Sequence, residues 1–181
     1  MFRIIFILLA FLLPFLTQGQ NEQDCFEVNF LDSNSKVQVN GNLKNGCTMP
    51  LRWAENSSVA CFPGTRFNEF LGNHILYSIE LPAASKMKIT VTPKSKKKRI
   101  NLYALRLGAN HSDTPPNISR AISCEASYPI YAGKPNLRKP SKPQSVEYIS
   151  IRKPYTIVIG VAGAKGVVEG DFDLEIEISQ R

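Results

Sequence analysis

The chain has 181 residues, 43% of them hydrophobic and 20% charged, with 22 basic residues against 15 acidic ones for a formal net charge of +7. Setting aside a leading export segment of nineteen residues leaves 162, the length of one domain. Such a chain buries roughly two thirds of its unfolded surface and needs no metal to hold a core.

Arg3 supplies a short positive start, residues 4–16 an apolar stretch, and Thr17, Gln18 and Gly19 a small-residue cleavage site before Gln20, the pattern of a secretory signal peptide. Thirteen apolar positions at ~1.5 Å each span about 20 Å, short of a ~30 Å bilayer core, which argues against a permanent transmembrane helix. Cys25 stands well behind the cleavage point, so a lipid anchor there is not expected. The mature chain is therefore expected to start at Gln20 and to be secreted or periplasmic. With Arg3 removed, 21 basic residues face 15 acidic ones, and the placement of this excess matters more than its size.

Four cysteines, Cys25, Cys47, Cys61 and Cys124, follow the signal, and an even count in an exported chain argues for two disulfides. Three pairings are possible. The preferred set is Cys25 with Cys47 and Cys61 with Cys124. There is no C-x-x-C pair, and neither His74 nor His111 is spaced as a ligand, which argues against zinc.

In chain order, residues 25–31 (CFEVNFL) alternate as a short strand, and residues 36–39 (KVQV) alternate again. Two Asn-Gly steps in residues 40–46 (NGNLKNG) favour tight turns. Leu51, Trp53 and Ala54 read as a further piece with Trp53 as a core or shelf residue, and a lone tryptophan in a small β domain more often packs than binds. Residues 20–60 read as an N-terminal segment with short strands, stapled by a disulfide, and residues 61–181 as the sandwich domain. Residues 61–67 are loop, followed by regular runs at 74–81, 87–92, 100–107, 121–128, 146–151, 155–161 and 172–178. Residues 82–85 make the turn between the first two.

In residues 171–178 (DFDLEIEI), Phe172, Leu174, Ile176 and Ile178 alternate with four carboxylates, the period of a strand half in a core and half in water. Residues 155–163 (YTIVIGVAG) have no polar face and belong centrally, buried on both sides. With the glycine-rich connection 164–170 between them, the two read as a hairpin. No stretch keeps a sustained helical spacing. The set predicts an all-β, antiparallel, jelly-roll-like β-sandwich with at most short helices.

The stretch from Cys61 to Ile178 resembles the bacterial pre-peptidase C-terminal domain. The resemblance is carried by the first strand 74–81 with Tyr77, the strand 87–91, Ile100-Asn101-Leu102-Tyr103, Pro154-Tyr155-Thr156-Ile157-Val158-Ile159, and Phe172-Asp173-Leu174-Glu175-Ile176. It implies a jelly-roll-like sandwich and an accessory or binding role. Relatives carry acids where this chain has Arg99-Ile100-Asn101-Leu102, which argues against a calcium site there.

Lys94, Lys96, Lys97, Lys98 and Arg99 lie between two strands and are expected at a hairpin tip, while Lys134, Arg138, Lys139 and Lys142 fall in a second, proline-rich loop, residues 129–145. If both loops emerge at one end, nine cations converge on a surface suited to acidic polysaccharide or another polyanion. Export makes nucleic acid a poor candidate partner. The plain alternative is two solvated loops. Asp171, Asp173, Glu175 and Glu177 share one strand face, and a metal site needs oxygens from several directions, so they read as a solvated face. Asn56, Asn110 and Asn117 stand in N-x-S sequons within loops, acceptors of N-glycosylation only in a host that performs it. Neither a G-x-S-x-G elbow nor H-E-x-x-H is present, and His74 and His111 are the sole histidines. The expected function is a non-catalytic binding module without a cofactor. A small polysaccharide-active enzyme and a structural or adhesin domain are the alternatives.

Overall fold

The computed structural model describes residues 26–129 and 142–181. Residues 1–19, read above as a signal peptide, and Cys25, Lys134, Arg138 and Lys139 lie outside the described residues. The described residues form ten strands: β1 (Val28–Phe30), β2 (Lys36–Asn42), β3 (Cys47–Thr48), β4 (Asn73–Leu81), β5 (Ser85–Pro93), β6 (Ile100–Leu107), β7 (Ser123–Ser127), β8 (Gln144–Ile149), β9 (Tyr155–Gly163) and β10 (Asp171–Gln180). The turns Leu43–Asn45, Arg52–Glu55 and Gly64–Glu69 between them are short 3-10 turns.

One sheet runs β1-β4-β9-β6-β7 with β3 also on β4, and the other runs β2-β10-β5-β8. The fold is an all-β sandwich. Its pairs are antiparallel except β1 with β4, where Val28 stands opposite Leu76 in parallel register. Between β1 and β4 the chain crosses to the second sheet and back, so it returns beside β1 in the same direction.

The expected hairpin of residues 155–178 does not form. β9 lies between β4 and β6 in the first sheet, and β10 lies between β2 and β5 in the second. A period of two fixes which face of a strand is apolar and leaves open which sheet it joins. The strands do take the positions their polarity requires. β9 is buried on both faces from Ile157 onward, and β10 alternates buried and exposed positions. The same passage from sheet to sheet occurs between β4 and β5 and between β5 and β6. Residues 94–99 are therefore a bridge between the sheets and not a hairpin tip.

Asn40-Gly41, expected as a turn, lies inside β2 opposite Phe172. A Cβ at Gly41 would run into the Phe172 ring, so the glycine serves close approach.

The main core fills the space between the sheets, with Tyr77, Ile79, Ile89, Leu102, Ile159, Phe172 and Leu174. A second apolar cluster covers the outer face of the first sheet, where Leu76, Tyr103, Leu105 and Val158 meet Met49, Trp53, Val59, Phe62 and Phe70. Trp53 is buried there, 5.4 Å from the Tyr103 ring centroid. Cys61 and Cys124 form a disulfide that ties this outer layer to β7 across 63 residues, a constraint worth about 4 kcal/mol in the chain-entropy account. Cys47 is also disulfide-bonded.

Side chains close one open edge of the sandwich. The Tyr148 hydroxyl on β8 donates to the Ala104 carbonyl at 2.5 Å and accepts from the Glu125 amide at 3.1 Å, joining β8 to β6 and β7. Ser127 Oγ accepts from the Ser145 amide at 3.2 Å and donates to Gln144 Oε1 at 2.9 Å.

Gly160 sits directly beneath the Tyr103 ring, where a Cβ would overlap ring atoms. Tyr103 is fully buried, with Trp53, Phe62 and Phe70 around it, so it has little room to yield. Gly160→Ala is expected to cost roughly 1–3 kcal/mol, read as a lower urea midpoint, together with an altered near-ultraviolet dichroism spectrum. An unchanged midpoint would contradict this packing.

Candidate functional site

Strand register brings the basic segments to one end. β5 leaves the second sheet at Pro93 and opens residues 94–99, which enter β6 at Ile100. Val91 pairs with Gln144, so Lys142, two residues earlier, stands beside the start of this segment. Leu102 pairs with Ser127, so residues 128–129 leave β7 at the same end. Both stems of the proline-rich connection thus emerge where residues 94–99 lie.

Two further connections join them. Gly163 pairs with Ile100, and the Ala164 amide donates to the Arg99 carbonyl at 3.1 Å, which places residues 164–170 there. The Leu43 amide donates to the Gly170 carbonyl at 3.1 Å and brings in the Leu43–Asn45 turn. Lys165 and Lys44, both exposed, arrive with these two turns. Sequence reading passes over them because each stands alone and not in a run.

The cations of residues 94–99 are not equivalent. Lys94 Nζ pairs with Asp173 at 3.0 Å and donates to Asn40 Oδ1 at 3.1 Å, and Lys98 Nζ pairs with Glu169 at 2.9 Å. These contacts are open to solvent and worth ~1 kcal/mol or less each. Arg99 differs, since its guanidinium reaches Glu69 at 3.3 Å and that carboxylate is only 7% exposed. Lys44, Lys96, Lys97, Lys142 and Lys165 are exposed and make no ion pair among the described residues. They form the available positive charge of this end.

The carboxylates of β10 face solvent in a polar grid over a shallow groove of about 530 Å³. Asp171 accepts from Asn42 at 2.7 Å, and Glu175 accepts from Gln38 at 2.9 Å and pairs with Lys36 at 3.3 Å. The hydrogen bond from Gln38, followed by that from Lys36, lowers the Glu175 pKa. Among the described residues no cluster of three histidine, cysteine or carboxylate groups could hold a metal.

His74 is 1% exposed, which shuts it away from any substrate. Its Nε2 lies 2.6 Å from the Phe70 carbonyl and must donate to it, so in the neutral ring Nδ1 accepts from the Tyr103 hydroxyl at 3.1 Å. Burial lowers the His74 pKa to about 4 against the raising effect of the Phe70 carbonyl, and burial pushes the Tyr103 hydroxyl well up. Asn101 plays a related part: its Nδ2 donates to the Glu69 carbonyl at 2.6 Å. This buried amide thus helps hold the outer layer to β6. His111 stands in the loop after β6, with Nδ1 3.9 Å from Asp113.

No known family matches the chain, and no curated protein does. Among solved structures the chain is similar to a periplasmic inhibitor of g-type lysozyme from Aeromonas hydrophila, at 10% identity and a TM-score of 0.41, covering 84% of this chain and 98% of that one. It is also similar to the pre-peptidase C-terminal domain of a Bacillus anthracis collagenase, at 11% identity and a TM-score of 0.41, covering 85% and 96%. A third is a surface-associated copper-binding protein of Methylomicrobium album BG8, at 10% identity and a TM-score of 0.42, covering 87% and 99%. The likeness in each case is a loose one.

Two expected outcomes follow from these contacts. Arg99→Ala leaves the buried Glu69 carboxylate without its cation and with only the Asn101 amide donating to it at 3.3 Å, and is expected to cost about 1–2 kcal/mol, discounted for the partial exposure of Arg99, whereas Lys96→Ala is expected to leave the urea midpoint unchanged. Equal midpoints for the two variants would contradict the distinction. For His74, the unfolded chain takes up its proton near pH 6.5 and the folded chain only near pH 4. Acidification through that window therefore favours unfolding, and stability of the order of 3 kcal/mol, fully present above pH 6.5, is lost by about pH 4. His74→Gln, which can still accept from Tyr103 and donate to Phe70, is expected to flatten this part of the stability profile. A profile with the same slope as the parent would assign the pH dependence to other groups.

Proposed function

We propose that the protein is an exported, non-catalytic binding module that holds an acidic polymer, of the sulfated or uronic polysaccharide class, at its basic end. The carrying observation is the convergence of residues 43–45, 94–99 and 164–170 with both stems of the 129–143 connection, which gathers Lys44, Lys96, Lys97, Lys142 and Lys165 without an ion pair among the described residues. Lys134, Arg138 and Lys139, the other cations of that connection, lie outside the described residues. Lys94, Lys98 and Arg99 contribute less because carboxylates already hold them. Export is supported by the Cys61–Cys124 disulfide and the bonded Cys47, since such bonds persist in oxidising compartments. A buried, neutral His74 supports a role without catalysis.

The test is retention on immobilised heparin and alginate across a salt series. The combined variant Lys44→Ala, Lys96→Ala, Lys97→Ala and Lys165→Ala is expected to elute at markedly lower salt and to show a shallower salt dependence, because fewer counterions are released from the polymer. Its melting temperature is expected to stay near that of the parent, since these side chains are exposed. Retention equal to the parent's would refute the basic-end reading. Shortening of the polymer during the run would point to an enzyme, and absence of any retention to a structural cell-surface role.

A further inference from the structure

The three sequons gather at the end of the sandwich opposite the basic loops. β6 runs from Ile100 at the basic end to Leu107, and residues 108–122, which carry Asn110 and Asn117, begin where it stops. Asn56 lies in the outer layer, yet the Ala121 amide donates to the Ser58 carbonyl at 3.1 Å, which joins its turn to the same loop. All three asparagines are exposed.

The segments that present them are fixed. Val59 and Ile118 are buried in the outer apolar cluster close to Asn56 and Asn117. Asn56 Oδ1 accepts from the Ser58 amide at 2.9 Å, while its Nδ2 has no partner among the described residues. Asn110 holds a φ of 61°, a left-handed conformation that asparagine tolerates, at the surface of its turn. By contrast, the amides of Asn73 and Asn101 are spent on backbone carbonyls, and neither stands in a sequon.

A second observation sits within the same loop. Leu107, Gly108, His111, Arg120, Ala121 and Ile122 line a hollow of about 240 Å³, and Ile122 is 53% exposed. A sugar ring attached to the loop has room beside this side chain.

We propose that Asn56, Asn110 and Asn117 carry N-linked glycans, which together clothe this end of the molecule and leave the opposite, basic end bare. In the reaction, Asn Nδ2 forms a bond to C1 of the first sugar of a polyprenyl-diphosphate-linked oligosaccharide and gives up a proton. The C1–O bond to the carrier breaks, and the lipid diphosphate leaves with the electron pair. No oxidant or reductant is involved. The glycan assignment stands independently of the polyanion reading; only the bare state of the far end is linked to it.

The test uses the protein secreted by its own source. Amidase release of N-glycans in heavy-oxygen water converts each occupied asparagine to a labelled aspartate, and peptide mass spectrometry is expected to find the label at all three positions, with a fall in the mass of the intact protein. Three unlabelled asparagines would overturn the proposal, and an unlabelled one would remove that site. Secreted variants Ser58→Ala, Ser112→Ala and Ser119→Ala, which keep every asparagine and its backbone partners, are each expected to lose one glycan's mass; unchanged masses would overturn it independently. Glycan release is expected to leave heparin retention unaltered. A shift in retention on release would show that the glycans reach the basic end, whereas absence of retention before and after release would count against the polymer reading alone.

Discussion

Two buried side chains pin an irregular layer onto a regular sheet. His74 on β4 and Asn101 on β6 donate to the carbonyls of Phe70 and Glu69, at the end of the 3-10 turn Gly64–Glu69. The outer layer contributes Trp53, Phe62 and Phe70 to a large apolar contact, but such contact has no direction and would tolerate sliding. Hydrogen bonds from groups sealed away from water do not, because losing one strands a buried polar atom. Burial favours the neutral form of His74, and in that form the donated Nε2 proton leaves Nδ1 as the acceptor for Tyr103. Much of the second core, including the fit of Tyr103 over Gly160, is set by this arrangement.

The sequence displayed its strands far better than their partners. Burial of β9 on both faces and the alternation of β10 were legible because they are local properties of side-chain order. Sheet membership was not, since residues 82–84, 94–99 and 164–170 are short enough for hairpins and yet each crosses between sheets. Asn40-Gly41 misled for a related reason. Asn-Gly is a turn signal when nothing else constrains it, but here the Phe172 ring demands a residue without a Cβ inside a strand. The parallel pairing of β1 has no local signature at all. Trp53 was legible as core because a large ring in a small domain has few other places to go.

For the basic end, a run of like charges in the sequence overstates what the surface offers. Of the five cations at 94–99, three have carboxylate partners from distant positions, Asp173, Glu169 and Glu69. The end regains charge from Lys44 and Lys165, which no run announces. Charge in a folded surface is a property of neighbours in space, and the neighbours here come from four different connections. The same logic separates Arg99, whose partner is buried, from Lys96 and Lys97, which project from the surface.

The order in which strands find their partners has a consequence for how the chain folds. β2 (Lys36–Asn42) pairs with β10 (Asp171–Gln180) and with no other strand among the described residues. Apart from β3 with β4 and β6 with β7, no strand pairs with its neighbour in the chain. Most contacts therefore link residues far apart in sequence, and the loop-closure entropy must be met before they form, which is the setting of slow folding. The second sheet cannot assemble fully until its last strand is present. Loss of β10 alone would therefore separate β2 from β5 and split the second sheet in two.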